Sequence, residues 1–239
     1  MNLNNCHNCV MGGRTKSHFK YPALLILLIL FSLLTSLILG CQAQSPQDSD
    51  LTVPASSRHE APPLVLSKEA PLTQEEAKDL AKKLDQPLDN YDLLRPGGAV
   101  DLASLSPSRI LRVVDGDTFI IDWEDQPTRL RLIGMDAPES YSHHDPDKQT
   151  HEGESVSRLV TAWLEDRDIY LQFDKDPYDP YERLLAYVWL DGHLMVNEIL
   201  VREGLARQHR YPPNTHFNDY FEILENKARW ENRGIWGAG

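Results

Sequence analysis

From Arg109 onward the apolar residues of this chain fall into five runs of strand length: Arg109 to Val114, Thr118 to Trp123, Thr128 to Met135, Ile169 to Phe173 and Leu184 to Leu190. Turn formers such as Asp115-Gly116 and Asp179-Pro180 lie between them, which is how a chain of short paired strands is punctuated. Three helical segments lie among these runs. Val156, Leu159, Val160, Trp163 and Leu164 follow the i, i+3, i+4, i+7, i+8 spacing that buries one helix face, and Met195 to Glu203 and Asn218 to about Asn232 supply the others. The expected class is therefore mainly β with helices, built around one modest core. Trp230 and Trp236 are read as closing it by their size.

The preceding part of the chain is organised differently. Arg14, Lys16 and Lys20 lead into an apolar run from Ala23 to Leu39, followed by Gly40-Cys41. A basic flank, an apolar stretch and a small residue before a cysteine read as an export signal with a lipobox over 1–41, in which the Cys41 thiol carries the lipid. An uncleaved membrane helix is the rival reading, and a run of seventeen residues is at the short edge of what spans a bilayer. Either way the remainder is exported, and the lipobox reading makes it a membrane-anchored lipoprotein of the cell envelope. Cys6 and Cys9 have C-x-x-C spacing with no second pair to complete a metal site, so they read as leader. All three cysteines lie in this leader, so the rest of the chain forms no internal disulfide and must be held by packing.

Residues 42–107 read as a tether rich in Ser, Pro, Ala, Gln and Asp. It carries one short amphipathic helix at about 73–85, announced by the capping box Thr73-Gln74-Glu75-Glu76 and by Ala77, Leu80, Ala81 and Leu84. Residues 108–239 are the folded domain. They hold 15 Lys and Arg against 25 Asp and Glu, within a chain of net charge −12. A protein that grips nucleic acid over its whole surface is normally basic, so any such binding here has to be local and assisted by a cation.

The acids and arginines gather in three stretches: Val113-Val114-Asp115-Gly116-Asp117-Thr118, Arg131-Leu132-Ile133-Gly134-Met135-Asp136-Ala137-Pro138-Glu139, and Asp179-Pro180-Tyr181-Glu182-Arg183-Leu184-Leu185-Ala186-Tyr187. Such a set suits phosphodiester cleavage. Aspartates in tight turns offer hard oxygens to Ca²⁺, a further carboxylate can activate water, and arginine forks clamp phosphate.

In identity, order and interval, these stretches make residues Arg109 to Trp236 resemble the staphylococcal-nuclease-like thermonuclease family. The resemblance implies a five-stranded OB-like Greek-key barrel and a Ca²⁺-dependent endonuclease acting on DNA and also RNA, with 3′-phosphate ends. By resemblance, Asp117 and Asp136 ligate Ca²⁺ through carboxylates and Ala137 through its carbonyl. Arg131 and Arg183 then contact the scissile phosphate, Glu139 acts as general base or orients water, and Tyr181 and Tyr211 pack around the nucleotide.

Two positions depart from the family pattern: Pro180 stands where its best-known member has a lysine and His209 where it has a tyrosine. Substrate preference is therefore not carried over with the chemistry. His143, His144, Asp145 and His151 fit no standard zinc spacing, and His193 and His216 read as surface residues. The alternative function is an OB-like module that binds nucleic acid or protein without cutting it.

Overall fold

The computed structural model describes residues 63–85, 95–140 and 149–237. The leader with Cys41, the first part of the tether and the His143-His144-Asp145 loop lie outside them.

Strand β1 (Ser106–Asp115) is long enough to serve two neighbours. Its first half pairs with β5 (Asp168–Gln172), and its second half pairs with β2 (Thr118–Trp123). A register shift between Ile110 and Arg112 falls just past the change of partner, and a second between Val113 and Asp115 falls at the hairpin end. A two-residue turn at Glu124 and Asp125, both left-handed at φ 52° and 60°, links β2 to β3 (Gln126–Leu132). Such turns match the natural twist of a hairpin. β3 runs parallel to β6 (Leu184–Trp189), and β6 pairs with β5, closing a barrel in the order β1-β2-β3-β6-β5. This is the five-stranded architecture expected. All six residues of β6 are buried, as befits a strand with neighbours on both edges and cover on both faces.

Among the described residues four α-helices pack around the barrel: α1 (Gln74–Leu84), α2 (His151–Leu164), α3 (Val196–Arg202) and α4 (Asn218–Trp230). The face of α2 read from its spacing, Val156, Leu159, Val160, Trp163 and Leu164, is buried with Ile110, Phe119, Ile121, Leu130 and Leu132 of the strands. Removing each such side chain from water stabilises the fold by about 1.5–3 kcal/mol. Helix α1 starts at the expected capping box: the Thr73 hydroxyl accepts from the Glu76 N–H at 3.3 Å, and the Glu76 carboxylate accepts from the Thr73 N–H at 2.8 Å. Ala77, Ala81 and Leu84 are buried, so this helix of the tether is laid on the domain.

Two expectations need correction. The third strand does not continue to Met135, and Asp136 does not end it. Gly134 has φ +81°, and a Cβ there would meet the Phe221 ring at 2.7 Å, so the chain turns out of the barrel at Gly134. Met135 and Asp136 form a separate strand β4 paired with β7 (Arg207–Gln208). Trp230 does not close the core either. It is 82% exposed on the last turn of α4. Trp236, in contrast, packs partly on the core between the guanidinium groups of Arg207 and Arg229, 4.4 and 3.8 Å from its ring.

Candidate active site

Asp117 occupies the corner of the β1–β2 hairpin, between Asp115 and its partner Thr118. A hairpin corner is normally wet, yet Asp117 is only 2% exposed, because the chain after Gly134 folds over it. The Ala137 N–H donates to one of its carboxylate oxygens at 2.8 Å, and the Thr118 hydroxyl donates to the other at 3.0 Å. The β2–β3 register sets Arg131 directly opposite Thr118. From there one guanidinium nitrogen donates to Asp117 and the other to Asp136, so a single buried fork bridges the two aspartates.

Burial pushes the Asp117 carboxyl up to about 6, with Asp136 and Asp115 adding to the rise and Arg131 and the Ala137 N–H opposing it. Burial likewise works against the Arg131 cation, but Asp117, Tyr211 and Asp136 outweigh it and hold its pKa above the usual value. Tyr211 is thus an electrostatic neighbour of the Arg131 fork. Its ring meets that of His209 edge-on at 4.7 Å. Glu139 lies on the exposed side of the cluster with its pKa raised by burial, then by the charge and hydrogen bond of Asp115, then by Asp117.

Asp115, Asp117, Asp136 and Glu139 therefore surround one guanidinium. A carboxyl at about 6 beside an arginine shows that one cation does not offset its desolvation and its acidic neighbours. A surplus of hard oxygen donors fits Ca²⁺. Among the described residues no three His, Cys, Asp or Glu converge closely enough to hold a metal alone. Ala137, expected to contribute its carbonyl, is anchored through its N–H.

Arg183 is not in contact with this cluster. It precedes β6, in which Leu185 pairs with Arg131 across the parallel ladder. Its own loop fixes it: Asp179 accepts from the Arg183 Nε at 2.6 Å and from the Tyr181 and Arg183 N–H groups at 2.9 Å. Burial would raise the Asp179 pKa, but those bonds prevail and hold it below the ordinary carboxylate value. Tyr181 is 81% exposed, with the Arg183 guanidinium 5.7 Å from its ring centre.

Two contributors were missed as such in the sequence. Asp115 was read as a turn former, yet its carboxylate is one of the neighbours that raise the Glu139 pKa. Its spacing of two from Asp117, at a strand end, was the available signal. Asp179 was not singled out from its motif, although an acid four residues before Arg183 in a Pro-Tyr turn suits a loop that closes on itself.

Residues 129–238 match the family model described as Staphylococcal nuclease homologue. The chain is 40% identical over 127 residues to "Thermonuclease" of Staphylococcus intermedius, covering 53% of this chain and 74% of that one. To "Thermonuclease" of Staphylococcus hyicus it is 38% identical over 128 residues, covering 54% and 74%. To "Endonuclease YncB" of Bacillus subtilis (strain 168) it is 35% identical over 127 residues, covering 52% and 59%.

Proposed function

This chain belongs to the staphylococcal nuclease homologue family and is a nuclease, and from that premise we propose that it is an exported, Ca²⁺-dependent endonuclease that hydrolyses the phosphodiester bonds of DNA and also of RNA. The observation that carries the reading is the Arg131 fork joining buried Asp117 to Asp136, with Glu139 and Asp115 alongside. In this account Asp117, Asp136 and the Ala137 carbonyl hold Ca²⁺, which supplies Lewis-acid stabilisation of charge on the phosphate oxygens when bound. Glu139 accepts the proton of the attacking water, a task its raised pKa suits. Arg131 and Arg183 bind phosphate oxygens as charge grows on them, and the guanidinium fork matches that geometry better than an ammonium. Exposed Tyr181 and half-buried Tyr211 offer rings for stacking on a nucleobase.

The metal test follows from Asp117. A carboxyl at about 6 is protonated below that pH, and Ca²⁺ competes with the proton for the same oxygens. The calcium concentration giving half-maximal cleavage should therefore be nearly constant above pH 7 and rise by roughly tenfold for each unit the pH falls below the Asp117 pKa. A half-activating concentration that does not change between pH 5 and 8 would remove Asp117 from the metal site.

Export rests on the run before Gly40-Cys41. We propose Cys41 as the lipidated residue, which fastens the enzyme to the cell envelope. Cys41→Ser should abolish metabolic labelling with a fatty acid and shift the protein to the soluble or unprocessed fraction. Label retained by Cys41→Ser would refute the assignment. One acyl chain binds membranes only marginally, so stable attachment calls for a second on the same residue.

A further inference from the structure

Both carboxylate-bearing turns of the site rest on helix α2, at separations that only glycine allows. A Cβ at Gly153 would lie 2.1 Å from the carbonyl oxygen of Glu139, so the first turn of α2 meets the Glu139 backbone directly. The Thr150 N–H also donates to that oxygen at 3.3 Å. One turn on, a Cβ at Gly116 would meet Val156 of α2 at 2.7 Å and Ala137 at 2.8 Å. A shift of α2 therefore moves Glu139 and the Asp115–Asp117 turn together.

Helix α2 is in turn held from outside the barrel, by residues that precede the matched segment 129–238. The Leu72 N–H donates to buried Ser155 Oγ at 2.9 Å, and the Arg158 guanidinium donates to the Leu72 carbonyl and to Glu154. At the far end Asp85 accepts from the Trp163 indole at 2.8 Å and from Arg167 at 2.6 Å. Between these clamps Ala77, Ala81 and Leu84 are buried. The arm is fixed upstream as well, where the Leu66 N–H donates to the Gly234 carbonyl at 3.3 Å. A spacer that merely connected an anchor to an enzyme would need none of these contacts.

We propose that residues 63–85 are a positioning element of the active site: docked on α2, they hold Glu139 and the Asp115–Asp117 turn in register. The proposal rests on the reading of Glu139 as the group that acts on water. Misplacement of a catalytic group by about 1 Å, caused at a distance, lowers a rate by as much as 10²-fold, so undocking should be read mainly in kcat.

The test uses the full chain carrying Ala77→Asp, which sets a charge in the α1–α2 interface far from the site. With DNA and saturating calcium, kcat should fall by roughly tenfold or more while KM changes less than about threefold. In a Glu139→Gln background the same substitution should cost less than about twofold, because saturating calcium offsets the displaced Asp115–Asp117 turn and the remaining effect on kcat passes through Glu139. Amide exchange at 150–156 and at 137–139 should accelerate while β2 and β6 stay protected, and this readout needs no activity. Should Ala77→Asp fail to fold, Arg158→Met removes the Leu72 clamp and keeps the apolar stem. It should show the same exchange pattern and the same non-additivity. Unchanged exchange at 137–139, or an equal loss of kcat with and without Glu139, would overturn the proposal. An unmodified chain that cuts nothing in calcium would instead sink the nuclease mechanism, while exchange would still decide whether the arm holds the Glu139 turn.

Discussion

Arg131→Gln should lower the stability of the metal-free protein by about 3–5 kcal/mol at pH 8, the scale for removing one partner of a buried ion pair, and should abolish cleavage. Arg131 and Asp117 are 7% and 2% exposed, so water cannot replace the lost guanidinium. The sign of the pH dependence follows from Asp117. Burial raises its folded pKa to about 6 even with Arg131 beside it. The folded state therefore binds that proton more readily than the unfolded chain, and the associated stability is present at low pH and lost as pH rises through about 6. Without Arg131 the ionised form is disfavoured further, so the substitution should cost most above pH 6 and least near pH 5. Calcium should restore part of the loss at pH 8 by supplying the missing positive charge. Urea midpoints at pH 5 and 8, with calcium or chelator, measure all three terms. An equal loss at both pH values would mean that the Arg131 fork does not offset the Asp117 charge.

The second large effect concerns the reacting groups. Arg183→Lys keeps the charge but removes the fork, and kcat should drop by roughly 10² or more, the scale for losing one preorganised donor to a developing oxyanion. Asp179 holds the Arg183 Nε at 2.6 Å, which fixes the plane of the guanidinium. A lysine nitrogen engaged by Asp179 has no second nitrogen to offer a phosphate. Glu139→Gln should slow turnover on a similar scale while leaving calcium-dependent nucleotide binding in place, because Glu139 is assigned to water. Steady-state kinetics together with binding of a nucleoside bisphosphate separate the two effects. Wild-type turnover in both variants would remove the mechanism.

The barrel was legible because its strands are short, bounded by turn formers and rich in β-branched residues, and because the α2 face repeats at helical spacing. The break at Gly134 was harder to read. Periodicity across Thr128 to Met135 is continuous, and only the left-handed backbone of Gly134 and the Phe221 ring against it force the exit. That exit matters chemically, since it folds Ala137 over Asp117 and puts Asp136 within reach of Arg131. Trp230 misled because size predicts burial only on a covered helix face, and in the last turn of α4 that face carries Ala228 while Trp230 lies on the open one. In the site, motif order disclosed which charges matter but not how they pair. The Asp115–Glu139 and Asp179–Arg183 contacts depend on backbone turns rather than on a sequence period. The docking of α1 was within reach of its capping box and apolar face, whereas its partner on α2 was not.

The most direct test of a calcium-dependent nuclease incubates the purified chain with single- and double-stranded DNA and RNA, in calcium or in chelator, and identifies the ends produced. The account predicts cleavage in calcium with 3′-phosphate ends, loss of cleavage in chelator, and cleavage slowed by roughly 10² in Glu139→Gln. Retention of nucleic acid in calcium with every strand left intact would contradict it, and would leave a barrel that binds without cutting.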